Sequence, residues 1–263
     1  MNKILCAALV AALLGGCASP AIDRSYSAVS QSSRVKFLIL HYTVGNLPSS
    51  LKTLTEQQVS SHYLVSDGAN PVIYGLVDES QRASHAGNSQ WKNFTDINSS
   101  SVGIEIVNPG YTDTPEGRVW YPFPQAQIDL IIALSRQIIE RHKIAPENVL
   151  GHSDIAPQRK QDPGKLFPWE QFAKAGLVKW PDAALVAEAR PRHDLQLPDV
   201  AWFQKQLAAV GYAVPQTGEL DLPTRTVVSA FQMKYRPATI DGTPDAETAA
   251  LLDALTAPAP KRL

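Results

Sequence analysis

Residues 34–43 read RVKFLILHYT. Phe37, Leu38, Ile39 and Leu40 are apolar in succession, so a strand here would bury both faces, as strands do inside a sheet covered by helices. His41 comes near the end of the run, just ahead of the Gly, Asn and Pro of a loop. Its imidazole is therefore expected at the C-terminal edge of the sheet, where ligand sites collect in folds of this kind.

Outward from this strand the pattern stays that of a mixed α/β domain. SLKTLTEQQVSSHYLV (50–65) reads as a helix running into a strand, and SDGANPVIYGLV (66–77) as a turn and a strand. SVGIEIVN (101–108) is one more strand. In QIDLIIALSRQIIERH (127–142), Ile128, Ile131, Ile132, Ser135, Ile138 and Ile139 recur at helical spacing, which lays this helix on the sheet. The fold class is α/β: a mixed central sheet flanked by helices. The aromatic loop PGYTDTPEGRVWYPFP (109–124) suits either a cleft wall or a cover for the sheet edge.

Composition shifts at KWPDAALVAEARPRHDLQLPD, which carries three prolines and little apolar periodicity, so 181–197 is expected to be an interdomain linker. Beyond it, GELDLPT (218–224) and GTPDAET (242–248) share Gly-x-x-Asp-x-x-Thr. Each Asp stands where an N-cap belongs, ahead of an apolar helical stripe. With VAWFQKQLAAVGY before them they predict a compact three-helix module over 198–257, followed by a tail at 258–263. The module resembles the small peptidoglycan-binding domain found beside wall hydrolases; a structural appendage is the plainer reading.

The N-terminus carries Lys3, an eleven-residue apolar run and LGGC ending at Cys17. The run falls short of the roughly 20 residues that span a bilayer, so 1–16 reads as a leader. LGGC resembles the bacterial lipobox, which would make Cys17 the lipidated first residue of the mature chain, with 17–33 as a Ser-rich tether. An ordinary cleaved signal would need no cysteine there. Ala18 in place of Asp suggests the outer membrane, periplasmic face. Cys6 lies in the leader, so the mature chain has neither a disulfide nor a thiolate ligand. With 25 acidic against 24 basic residues, no basic footprint suggests nucleic acid.

GHSDIAPQRKQDPG (151–164) is the segment richest in reactive groups. His152 follows the short apolar strand NVLG. Lys160 and Asp162 are two apart and would point the same way from an extended segment stiffened by Pro157 and Pro163. His41, His152 and Asp162 would make a three-ligand set for zinc with a fourth position open to water; a surface loop of mixed charge fits the segment taken alone. Glu105 lies in the apolar strand VGIEIV, where an unpaired carboxylate is costly. It is either a general base facing a pocket or half of an ion pair. His62 reads as a packed or pocket-wall residue, not a ligand, His85 in SHAG as a substrate contact, His142 as a charge at a helix C-terminus, and His193 as part of the linker.

In order along the chain, LILHYT, SSHYLV, SHAG, SVGIEIVN and GHSDIAPQRKQDPG resemble the zinc-dependent N-acetylmuramoyl-L-alanine amidases of the type 2, T7-lysozyme-like family, over residues 34 to about 170. The amidase domain is accordingly set at 34–180. The resemblance implies zinc as cofactor, His41, His152 and Asp162 as ligands, Glu105 as catalytic acid/base and Lys160 as the group stabilising the transition state. It implies peptidoglycan as substrate; the lipobox-like LGGC adds the membrane as a second partner through Cys17, and a monomer is expected. The alternatives are a recognition protein that binds wall fragments without cleaving them, opposed by the intact Glu105 and Lys160, and a zinc peptidase of the stem peptide, opposed by the absence of HExxH.

Overall fold

The structure, a computed structural model, describes residues 21–258. The expected leader, Cys17 and the end of the tail lie outside the described residues. A first unit ends at Ser32, and its described part, 21–32, is exposed and without helix or strand. The second unit runs from Ser33 onward.

The second unit opens with β1 (Phe37–Tyr42), α1 (Leu47–Glu56), β2 (Tyr63–Val65) and β3 (Ile73–Gly75). Next come β4 (Ser101–Ile106), the hairpin β5 (Tyr111–Thr114) and β6 (Gly117–Trp120), and the long helix α2 (Gln125–His142). β7 (Val149–Gly151), α3 (His152–Ile155) and α4 (Trp169–Lys174) follow. The sheet order is β3-β2-β4-β1-β7, parallel except for β3, so the expected mixed sheet is borne out.

β1 is buried along its whole length because each face has its own cover. Leu38 and Leu40, with Val102, Ile104 and Ile106 of β4, pack under Ile128, Ile131, Leu134 and Ile138 of α2. Phe37 and Ile39 face the other way, into a cluster that includes Trp91, Ile97 and Leu150.

The C-terminal helices are α5 (Ala183–Leu195), α6 (Val200–Val210), α7 (Leu222–Tyr235) and α8 (Ala246–Thr256). The repeated Asp residues cap as expected: Asp221 accepts from Thr224 N at 2.8 Å and Asp245 from Thr248 N at 2.8 Å. Gln204 on α6 and Gln232 on α7 pin the two turns, accepting from Gly218 N at 2.7 Å and Gly242 N at 2.9 Å.

The linker expected at 181–197 is instead helical. Asp182 caps α5 by accepting from Ala184 N at 2.8 Å, Ala189 and His193 are buried, and His193 with Arg192 pairs with Asp253 on α8. Of the three prolines, Pro181 and Pro198 flank the helix and only Pro191 lies inside it. Nor does the module stand apart. Phe203, Leu207, Val228, Phe231 and Leu252 share one cluster with Phe37, Ile39 and Leu150 of the sheet. At roughly 1.5–3 kcal/mol for each large apolar side chain buried, such a seam is a core and not a contact between tethered bodies.

Candidate metal centre

Parallel pairing builds the site. β1 and β4 run in register with His41 opposite Glu105, and β7 lies on the far side of β1 with Gly151 opposite Leu40. The residue after Gly151 is His152, so two imidazoles and a carboxylate from three adjacent strands reach the same edge of the sheet. Asp162 arrives by a different route from the one expected. Residues 156–164 are folded in turns, not extended: Lys160 N donates to Ala156 O at 3.0 Å and Ser153 N to Asp162 O at 2.9 Å. Gly151 permits this, since a Cβ there would lie 2.7 Å from Pro163 Cδ.

His41 Nδ1, His152 Nδ1 and Asp162 Oδ2 lie 3.0, 3.0 and 3.1 Å from one another, and all three residues are buried. Their outer partners fix the tautomers. Ser101 gives its one hydroxyl proton to Ile97 O at 2.6 Å, so at 3.0 Å its Oγ accepts from His85 Nε2. His85 Nδ1 is then the acceptor for His41 Nε2 at 3.0 Å, which leaves His41 Nδ1 bare. His152 Nε2 donates to Ala86 O at 3.1 Å, a shorter contact than the 3.4 Å approach of Arg159 to the same nitrogen, and this leaves its Nδ1 bare as well. Two nitrogen lone pairs and a carboxylate oxygen facing one point fit a cation. Ligands about 2.0–2.1 Å from a tetrahedral zinc would be spaced about 3.3 Å apart, close to the spacing observed.

The electrostatics agree. Burial, followed by His152, pushes His41 down to about 4, so it is a neutral donor at neutral pH. Burial alone would raise Asp162, but His152 and His41 hold it far below the carboxylate range. Burial, followed by the Asp162 carboxylate, pushes Glu105 up to about 8, against the opposing pull of Lys160. Glu105 Oε2 is shut away from solvent and has no hydrogen-bond partner, so the ion-pair reading of this residue does not hold. A divalent cation nearby would favour its ionised form.

Tyr42, His85, Glu105, His152, Lys160 and Asp162 line one cavity of about 440 Å³. A second, of about 590 Å³, opens from Lys160 towards α7 and is lined by Arg118 and Trp120 of the 109–124 loop. His85, expected at the substrate, has both ring nitrogens engaged by His41 and Ser101. It lies over Gly103, where a Cβ would approach its ring to 2.7 Å. His62 is a packed residue, accepting from Gly103 N at 3.0 Å. His142 ends α2 and pairs with Glu79 at 2.6 Å. The orienting roles of Ser101 and Gly103 are not read from the sequence. Their one signal was a glycine inside a strand, which marks a close approach.

Among the described residues, His41, His152 and Asp162 form one buried cluster at the edge of an α/β sheet that could hold a metal ion. Residues 31–165 match the N-acetylmuramoyl-L-alanine amidase family, and residues 196–252 match a peptidoglycan binding domain family. The N-acetylmuramoyl-L-alanine amidase AmiD of Escherichia coli (strain K12) is 41% identical over 270 residues, covering 97% of this chain and 98% of that one. The 1,6-anhydro-N-acetylmuramyl-L-alanine amidase AmpD of Enterobacter cloacae is 38% identical, over 43% of this chain and 55% of its own. Among solved structures, E. coli AmiD in complex with the substrate anhydro-N-acetylmuramic acid-L-Ala-D-gamma-Glu-L-Lys superposes with a TM-score of 0.81 at 41% identity, covering 89% of this chain and 93% of that one. AmpDh3 of Pseudomonas aeruginosa superposes with a TM-score of 0.84 at 37% identity, over 90% and 98%. The chain belongs to the zinc-dependent N-acetylmuramoyl-L-alanine amidase family and is a cell-wall amidase.

Proposed function

We propose that His41, His152 and Asp162 hold the zinc, and that Glu105 and Lys160 carry out the hydrolysis of the amide between the lactyl group of N-acetylmuramic acid and L-alanine. The observation that carries this reading is the meeting of three bare ligand atoms beside a carboxylate oxygen with no partner. When bound, zinc supplies Lewis acidity and brings the pKa of a water to about 7. Glu105 takes a proton from the attacking water and passes it to the leaving amine nitrogen of L-alanine. The Lys160 ammonium, on the cavity wall with Glu105, offsets the negative charge that develops on the carbonyl oxygen. Tyr42 and His85 line the same cavity.

A lipid on Cys17 would hold the enzyme, as a monomer, to the periplasmic face of the outer membrane. Among the described residues no helix is long and apolar enough to cross a membrane, so attachment rests on that lipid in this reading. The chemical assignment is tested by comparing wild type with Glu105→Gln on a soluble muropeptide, with products identified by mass spectrometry. Wild type is expected to release the intact stem peptide, to lose activity to a chelator and to regain it with zinc. Glu105→Gln is expected to bind one zinc and to turn over at least a hundredfold more slowly, on the order of the 10²–10⁴ that general base catalysis contributes. Loss of zinc from the variant would make Glu105 a ligand. Cleavage within the stem would favour the peptidase reading.

A further inference from the structure

The carboxylate of Asp154 lies two residues beyond His152 on α3 and is 1% exposed. It makes one contact within its own turn, accepting from Gly151 N at 2.8 Å through Oδ2. Its other two partners come from the C-terminal module. Lys234 on α7 donates to Oδ2 at 2.6 Å, and Tyr212, just after α6, donates to Oδ1 at 2.6 Å. Lys234 Nζ also donates to Val149 O at 3.3 Å and sits 4.2 Å from the centre of the Trp169 ring. Tyr212 and Lys234 are 3% and 4% exposed.

These contacts bracket His152. Val149 and Gly151 precede it, Asp154 follows it, and each is reached by the module directly or through the Asp154 carboxylate. A buried ammonium carries a large desolvation cost, so a lysine is a poor choice if the interface needs only adhesion, which the surrounding apolar seam already supplies. A lysine and a tyrosine on the two oxygens of one carboxylate do more, because they fix its direction. The Gly151 N–H bonded to that carboxylate then fixes the backbone from which His152 projects.

We propose that Tyr212 and Lys234 are positioning residues for His152, and that the C-terminal module is thereby part of the catalytic unit as well as a candidate wall-binding surface. The proposal rests on the reading of His152 as a zinc ligand. A small rotation of α3 would carry His152 Nδ1 away from His41 Nδ1 and Asp162 Oδ2, and misplacement by about 1 Å in a reacting constellation costs on the order of a hundredfold in rate.

The test uses the full chain with Tyr212→Phe and Lys234→Met. Arg236→Met serves as a control: Arg236 is buried but pairs with Asp245 and Glu247 inside the module and does not touch Asp154. Zinc affinity is measured by competition with a chromophoric chelator, at a temperature where circular dichroism shows every protein folded. Turnover of a soluble muropeptide is measured at saturating zinc. Tyr212→Phe and Lys234→Met are expected to weaken zinc binding about tenfold or more, the range for loss of an outer-shell partner, and to lower kcat with KM little changed. Arg236→Met is expected to lower the melting temperature and keep wild-type zinc affinity. The proposal is overturned if folded Tyr212→Phe keeps both wild-type zinc affinity and kcat, or if Arg236→Met weakens zinc equally, since that would be general loosening. Should Lys234→Met fail to fold, Tyr212→Phe, which removes one oxygen atom, decides the matter. A wild-type protein that binds no zinc would defeat the reading of the centre itself; unchanged variants beside a normal wild type defeat only the role of the module.

Discussion

Gly103 and Glu105 are two apart on β4 and therefore face the same way. One leaves room for a ring and the other carries a carboxylate whose Oε2 has no hydrogen-bond partner. The space above Gly103 is filled by His85, and a methyl group there would stand 2.7–2.9 Å from three of its ring atoms, too close to tolerate. Gly103→Ala is therefore expected to displace His85, release His41 Nε2 and weaken zinc about tenfold, with far-UV circular dichroism unchanged. Wild-type zinc affinity in that variant would mean that His85 does not orient His41. Four groups at this end of the sheet stand out in the sequence: His41 and His152 come at the ends of apolar strands, Glu105 interrupts one, and Asp162 belongs to a long motif. The direction of the His85 ring was not legible, because a histidine on a loop reads alike whether it faces substrate or a neighbouring imidazole. Only the missing Cβ of Gly103 and the committed proton of Ser101 decide it.

Among the elements, α2 and the β2–β3 edge are joined through one carboxylate. Glu79 accepts from Tyr63 on β2 at 2.7 Å, from Arg141 at 2.8 and 3.0 Å, and from His142 at 2.6 Å. Burial works against its charge, but the bonds from Arg141, Tyr63 and His142 prevail and bring it down to about 2. For a carboxylate so depressed, the stabilisation is full above the ordinary value of about 4.5 and is lost as pH falls towards about 2. Glu79→Gln is expected to cost about 2 kcal/mol near neutral pH, measured by urea unfolding. The gap from wild type should narrow across that acid range; a gap that stays constant would show that Glu79 acts by shape alone. The paired strands and α2 were readable because a period of two and a period of 3.6 each leave a clear trace. α5 was not. Its apolar side chains are mostly alanines, its stripe is weak, and its place is secured by Asp182 at one end and by the pairing of Arg192 and His193 with Asp253, a residue some sixty positions away.

Taken whole, the second unit has one apolar interior from the α6–α8 helices to β1. Anchoring is a separate matter. Cys17→Ala is expected to yield a protein that partitions into the aqueous phase of a detergent separation and still cleaves soluble muropeptides at the wild-type rate, since Cys17 precedes every group of the metal centre by at least 24 positions. A folded but inactive product would tie the lipid to the chemistry. The module, in contrast, was expected to follow an interdomain linker, and no local pattern contradicts that; shared burial is a property of surfaces that meet, which neither partner displays alone in its sequence. The Asp154 clasp has a consequence for engineering. The helices after residue 196 are not a cassette. A chimera that exchanges them for another fold would present Asp154 with no hydroxyl and no ammonium, leaving a buried carboxylate with the Gly151 N–H alone.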